Sequence, residues 1–128
     1  MLRMALLVLF VMLPLAGCTS KPIMNISNEA IVVASGRTAT MDNVRDSILR
    51  AGAKLGWQMT PSAPGMVDGR LSLRDHIAMI DVKYDTRSFS IVYRDSTNLD
   101  FRNGQVHRNY NGWIENLNRE IRTELLRV

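Results

Sequence analysis

Two histidines and a few aspartates are the side chains of this sequence that could build a metal or catalytic site. His76 and His107 are its only histidines. Zinc generally takes three or four protein ligands, so a site would need both histidines together with acids such as Asp75 and Asp100. Single histidines more often make structural hydrogen bonds, and the sequence therefore predicts no metal site.

Paired carboxylates are the second chemical candidate, because two acids flanking a sugar linkage can hydrolyse it. The candidate pairs are Asp81 with Asp85 and Asp95 with Asp100. Acids on the polar side of a strand usually face solvent, and neither a Gly-x-Ser-x-Gly nucleophile turn nor a phosphate-binding glycine loop is present in the sequence. We therefore expect no enzyme, with a weak enzyme or ligand binder acting on envelope glycan or lipid as the alternative.

The single cysteine, Cys18, follows a segment with the three parts of a secretory signal. Arg3 supplies a positive charge, residues 4–13 form an unbroken apolar run, and small residues follow Pro14. A transmembrane helix needs about 20 apolar residues, and this run is shorter. We therefore expect a cleaved signal rather than a permanent membrane span.

The four residues Leu15-Ala16-Gly17-Cys18 resemble the lipobox of bacterial lipoproteins. The resemblance implies cleavage between Gly17 and Cys18, a diacylglycerol on the thiol and an acyl chain on the new amine, with no other cofactor. Two or more acyl chains anchor a protein stably, whereas one chain gives marginal binding. Thr19, by resemblance to enterobacterial sorting, where Asp at this place retains the protein in the inner membrane, favours the periplasmic face of the outer membrane.

The sequence divides into a signal peptide (1–17), a lipidated cysteine with a tether (18–28) and one periplasmic domain (29–128). Residues 19–28 are polar and include Pro22, so they are expected to form a linker that spans at most about 35 Å. Loss of Arg3 with the signal lowers the formal charge from +4 to +3. The basic residues are scattered, which argues against a nucleic-acid partner.

The pattern of apolar residues predicts an α+β fold. Residues 41–55 and 106–126 have apolar side chains at helical spacing, and Thr40 is placed to cap the first helix. Strands are predicted at 31–33, 57–60, 71–74, 78–84 and 88–94, with the segment 61–65 as a turn. The expected architecture is an antiparallel meander with two helices packed on one face, in the order β-α-β-β-β-β-α.

A pattern of polar and aromatic residues runs through the C-terminal half: Tyr84-Asp85, Ser88-Phe89-Ser90-Ile91, Tyr93, Ser96, Asn98-Leu99, His107, Tyr110-Asn111, Trp113-Ile114 and Asn116-Leu117. It resembles a family of uncharacterised small lipoproteins of proteobacteria. The resemblance implies lipidation and an α+β fold, and it brings no catalytic residues with it.

The segment from Arg102 to Trp113 is the densest in polar and aromatic residues. Arg, Tyr and Trp dominate binding surfaces, so we expect a partner surface here, carried by Arg102, His107, Arg108 and Asn111. The competing interpretation is structural, with the aromatic residues buried in the closing helix. The functional prediction is a non-enzymatic binding module that contacts the membrane through its anchor. It would bind an envelope protein or another envelope component through this surface or through the open face of the sheet.

Overall fold

The structure is a computed structural model and describes residues 20–128, so the signal, Gly17 and Cys18 lie outside the described residues. This part of the chain forms seven strands and two helices. In chain order they are β1 (Ser20–Pro22), β2 (Ile26–Ala30), α1 (Met41–Lys54), β3 (Gln58–Ala63), β4 (Met66–Leu73), β5 (His76–Tyr84), β6 (Ser88–Thr97), β7 (Gln105–His107) and α2 (Arg108–Leu125).

The predicted α+β class and antiparallel meander are confirmed. Strands β3 to β6 pair with their sequence neighbours, and β2 lies beside β6, which gives the order β2-β6-β5-β4-β3. Strands β1 and β7 form a separate two-stranded sheet. Both short strands were absent from the prediction, because three residues are too few to show an alternating pattern.

One face of the large sheet and the two helices enclose a single core. Its fully buried side chains alternate along the strands and recur every three or four residues along the helices, as the sequence pattern requires. The central members are Val67, Ala78, Ile80, Val82, Phe89, Ile91, Val44, Ile48, Tyr110, Ile114, Leu117 and Ile121. The opposite face of the sheet remains open, and it carries charged side chains such as Asp68, Arg70 and Lys83 together with half-buried Met66, Met79 and Val92.

Helix α1 begins where the sequence indicates. The Thr40 hydroxyl accepts a hydrogen bond from the Asn43 backbone N–H at 3.1 Å, and the Asn43 side chain accepts from the Thr40 N–H at 3.3 Å. A cap of this kind contributes about 1 kcal/mol. The helix is followed by Gly56, whose φ of +85° lets the chain turn into β3.

The segment before α1 differs from its prediction. The strand expected at 31–33 lies instead at Ile26–Ala30, with a register shift on β6, and Val32 is 61% exposed. The expected tether is also shorter, because the chain is paired into the fold from Ser20 onward. Pairing partners 58 or more residues away decide these positions, and the local hydrophobic pattern carries no information about them.

Two smaller differences concern element ends. Pro61 lies within β3, so the predicted turn at 61–65 reduces to Pro64 and Gly65. An edge strand tolerates proline because one side of its backbone needs no partner. Val106, expected as the first residue of the closing helix, lies in β7, and the helix begins at Arg108.

A buried carboxylate joins the two helices. Glu124 is 1% exposed, and it accepts a hydrogen bond from Arg50 Nε at 3.0 Å and another from Lys54 Nζ. The bond from Lys54 is the main reason that the pKa of Glu124 is lowered, against burial, which would raise it. Lys54 also contacts Glu120 at 3.1 Å. The last turn of α2 is therefore held against the last turn of α1 by charge.

We predict that Glu124→Gln lowers the free energy of unfolding at pH 7 by about 1–3 kcal/mol, because charge-assisted hydrogen bonds to a buried acceptor are lost. A carboxyl whose folded pKa is lowered stabilises the fold above its unfolded pKa of about 4.3 and loses this effect as pH falls through the folded pKa. Urea titrations from pH 7 to pH 2.5 should therefore show a flatter acid limb in the variant.

The matched control is Glu120→Gln, which removes a more exposed partner of the same lysine and should change stability by less than about 1 kcal/mol. Equal losses in the two variants would contradict a special role for Glu124.

Candidate functional site

The segment that the sequence marked as a partner surface begins with a tight hairpin. Asn103 and Gly104 occupy its turn with φ of +50° and +75°, the left-handed values that Asn-Gly turns favour. The backbones of Arg102 and Gln105 exchange two hydrogen bonds, at 2.9 and 2.8 Å. The turn reverses the direction of the chain, which continues as β7, and the Arg102 side chain is exposed.

Strand β1 pairs with β7 along this hairpin. Ser20 lies opposite His107 and Pro22 opposite Gln105, and the Ile23 N–H donates to the Gly104 carbonyl at 3.0 Å. Ile23 and Met24, which come next, are half-buried and pack against the hydrophobic core. The chain from Ser20 onward is thus built into the domain.

Asn111 fastens this N-terminal segment to α2. Its Nδ2 donates to the Pro22 carbonyl at 2.9 Å, and its Oδ1 accepts from the Met24 N–H, also at 2.9 Å. The side-chain amide therefore supplies one donor and one acceptor to alternate residues of an extended chain, as a neighbouring strand would. Asn111, predicted as a partner residue, is engaged inside the molecule.

His107 has a second structural role in the same place. Its backbone N–H donates to the Leu99 carbonyl at 2.8 Å, and its Nδ1 accepts from the Asn109 N–H at 3.3 Å, which caps α2. Arg108, at the first position of the helix, is exposed. Of the four predicted surface residues, Arg102 and Arg108 face solvent, while His107 and Asn111 hold the local structure.

An aromatic stack supports the loop that leads into the hairpin. Phe101 lies on Tyr93 with ring centroids 5.0 Å apart, and Tyr93 meets the edge of Tyr110 at 5.5 Å. Burial raises the pKa of Tyr110, whose hydroxyl has no hydrogen-bond partner within residues 20–128. Phe101 keeps 48% of its surface exposed although it is stacked.

The turn between β4 and β5 adjoins this loop. His76 Nδ1 donates to the Asn98 carbonyl at 2.7 Å, and Asn98 Nδ2 donates to the Asp75 carbonyl at 2.8 Å. Strand β1, the loop 98–104, the β4–β5 turn and the first turn of α2 thus form one end of the domain. We call it the β1 end.

The candidate histidines lie at the same end of the domain in structural roles, and His76 Nε2 is also 3.6 Å from a carboxylate oxygen of Asp75. His76 bonds a loop carbonyl and His107 caps a helix. Asp85 accepts from two backbone N–H groups of its turn, Arg87 at 2.7 Å and Ser88 at 2.8 Å, and these bonds lower its pKa. Because Asp81 lies four residues earlier on an extended strand, the two carboxyl-bearing residues are about 13 Å apart along the chain.

The second acid pair is also divided between elements. Asp95, near the end of β6, accepts a hydrogen bond from the Ser96 backbone N–H at 2.8 Å. Asp100 lies in the following loop and lines a shallow hollow with Ser20 and Arg102. Within residues 20–128, no three side chains among His, Cys, Asp and Glu come together in a way that could hold a metal ion.

The open face of the sheet contains an ion cluster that the sequence analysis missed. Asp68 and Asp81 are direct cross-strand partners, and Arg94 Nη1 lies 3.4 Å from a carboxylate oxygen of each. Opposed like charges destabilise a strand pair, so the arginine compensates for them. The alternation of β4 places Asp68 on this face, but the irregular register of β6 that brings Arg94 over it leaves no sequence signal.

Two further concavities lie on the helical side. A groove of about 500 Å³ has an apolar floor of Ala30, Val32 and Leu126 beside Arg119 and Arg122. A hollow of about 560 Å³ is lined by Arg37, Arg50, Arg127 and their neighbours. Both are near the end of the domain where α2 terminates, opposite to the β1 end.

Comparison of the chain with protein families, curated proteins and solved structures finds no match. Its resemblance to small proteobacterial lipoproteins therefore stays a prediction. In the part of the chain that the structure covers, neither helix has the length and apolar character needed to span a membrane.

We predict that Asn111→Ala frees β1 while the five-stranded sheet stays intact. Loss of two hydrogen bonds, one of them partly buried, should lower the free energy of unfolding by about 1–3 kcal/mol. Hydrogen exchange at the amides of Lys21, Ile23 and Met24 should accelerate by more than tenfold, with little change in β4 and β5.

Asn109→Ala is the matched control, since it replaces an exposed asparagine one position from the helix start. Exchange in β1 that is equally slow in Asn111→Ala and in the control would show that the amide clamp does not hold the strand.

Proposed function

We propose that the protein is a lipoprotein of the bacterial envelope, anchored by acyl chains on Cys18, whose domain is a non-enzymatic binding module held at the membrane surface. The observation that carries the proposal is the position of β1. Its first residue, Ser20, follows Cys18 by two positions and is already paired with His107.

The short connection limits how far the domain can move from its anchor. Two extended residues span at most about 7 Å, compared with about 35 Å for the ten-residue linker expected from sequence. The acyl chains of Cys18 must lie in the bilayer, so the β1 end would be held beside the lipid headgroups. The position of β1 in the fold would then set the orientation of the domain relative to the membrane, in addition to the anchoring by the acyl chains.

The destination follows from the residue after the cysteine. Thr19 lacks the carboxylate that, in the enterobacterial sorting rule, retains a lipoprotein in the inner membrane. We therefore propose the periplasmic face of the outer membrane. Fractionation of the membranes tests this destination directly.

A binding role is supported by how the polar side chains are used. His76, His107, Asp85 and Asn111 make hydrogen bonds that shape the domain. The charged side chains of the open sheet face, including Arg70 and Lys83, are exposed and lie on the side of the sheet opposite to the core and the helices. With the β1 end at the membrane, this face is the surface we propose for an envelope protein partner.

The first prediction concerns the anchor. Cys18→Ser should abolish incorporation of labelled palmitate and prevent cleavage of the signal, because the thiol is the acceptor of diacylglycerol. Labelling in cells, followed by gel analysis of precursor and mature forms, measures both effects. Palmitate retained in Cys18→Ser would refute the lipoprotein assignment.

Thr19→Asp is the matched control for that experiment. It keeps the thiol, so we expect normal labelling and cleavage, but density-gradient fractionation should move the protein from the outer to the inner membrane. Unchanged fractionation would contradict the proposed destination and leave the lipidation intact.

The second prediction concerns the partner. Arg70→Glu combined with Lys83→Glu reverses two charges on the open face and should remove a partner captured by crosslinking in intact cells. The control, Arg37→Glu with Arg119→Glu, makes the same net charge change at exposed positions outside the large sheet. Capture that persists in the first double variant, or is lost equally in both, would exclude the open face as the partner surface.

A further inference from the structure

The β1 end combines exposed apolar side chains with basic ones. Phe101 is 48% exposed and Leu73, at the end of β4, is 46% exposed. They belong to the loop and the turn that Asn98 joins through its bond to Asp75. Large apolar side chains left open together on a small domain often mark an interaction site.

The charges around these side chains are mainly positive. Four exposed basic residues belong to this end, against two exposed acids, Asp75 and Asp100. The basic residues are Lys21, Arg74, Arg102 and Arg108. The first turn of α2 adds the positive end of a helix dipole. The surface thus complements an anionic one, and it suits the phosphates of lipid headgroups.

The position of the anchor brings this surface to the bilayer. Ser20 lines one hollow with Asp100 and Arg102, and it pairs with His107 immediately before Arg108. Since two residues of chain span at most about 7 Å, acyl chains on Cys18 would place these residues at headgroup depth.

We propose that the β1 end rests on the membrane, with Phe101 inserted among the headgroups and Arg102 and Arg108 contacting lipid phosphate. The occupant is the anionic bilayer that holds the acyl chains of Cys18, and the inference rests on the proposed lipidation. Phe101 is suited to insertion because its ring is stacked on Tyr93, so it projects from a supported loop.

The opposite end provides an internal comparison. Val32 is 61% exposed and lines the groove beside Leu126, which follows the last turn of α2. Since α2 begins at the β1 end and has 18 residues, its last turn is about 27 Å away. The side chain of Val32 is therefore more exposed to solvent than that of Phe101, but it lies far from the lipid.

The test uses the acylated protein reconstituted in vesicles of phosphatidylethanolamine and phosphatidylglycerol with brominated acyl chains, which quench nearby tryptophan. Phe101→Trp places a reporter at the β1 end, and Val32→Trp places one at the far end. Trp57 and Trp113 give the same background in both. We expect at least twofold stronger quenching of the added tryptophan in Phe101→Trp, and near-background quenching in Val32→Trp.

A second variant tests whether the basic side chains contribute to membrane contact, and a third replaces the reporter if Phe101→Trp misfolds. Adding Arg102→Glu and Arg108→Glu to Phe101→Trp should reduce its quenching by at least half, while flotation with the vesicles is kept by the acyl chains. If circular dichroism shows that Phe101→Trp is unfolded, Leu73→Trp replaces it at the same end with the same expectation.

The outcomes separate the two proposals. Flotation of the acylated protein with equal quenching at both ends overturns the membrane-facing surface and leaves the lipoprotein assignment standing. Absence of acylation and flotation overturns both. Strong quenching at Phe101 that the two glutamates reduce supports the surface as proposed.

Discussion

The two hydrogen bonds of Asn111 fix how the N-terminal segment meets the rest of the protein. On the side that faces α2, the extended chain at Pro22 and Met24 has no neighbouring strand. Without Asn111, the Pro22 carbonyl and the Met24 N–H would therefore have only water to bond. The asparagine amide meets both groups at 2.9 Å. This contact, together with β7 on the other side, holds the N-terminal segment as a strand, and it makes the chain from Ser20 onward part of the domain.

The same arrangement gives the two ends of the domain different properties. The β1 end has aromatic and basic side chains on short, tightly turned loops, supported by the Tyr93 stack and by the bonds of Asn98. The far end is fastened by charge, where Glu124 joins α1 to α2. The open sheet face extends between these ends, so a domain standing on its β1 end, as proposed, would present that face parallel to the membrane normal.

The sequence predicts the elements whose side chains are repeated along a regular core. Helix α1 and strands β5 and β6 have five or more residues of clear period, and their positions follow from burying one face. Strands β1, β2 and β7 are short and polar. They form strands because the fold places beside them backbone that is distant in sequence. The role of Asn111 is of this kind too. An asparagine at a helix start predicts a cap or a surface contact, and only the folded chain brings Pro22 to it.

The separation between bilayer and domain tests the account most directly, because a folded β1 leaves about 7 Å of chain for it, while a free tether leaves about 35 Å. Neutron reflectometry of the acylated protein on a supported bilayer measures this separation. The account predicts protein density that is continuous with the headgroup layer. A hydrated gap of about 20 Å or more between headgroups and domain would contradict it.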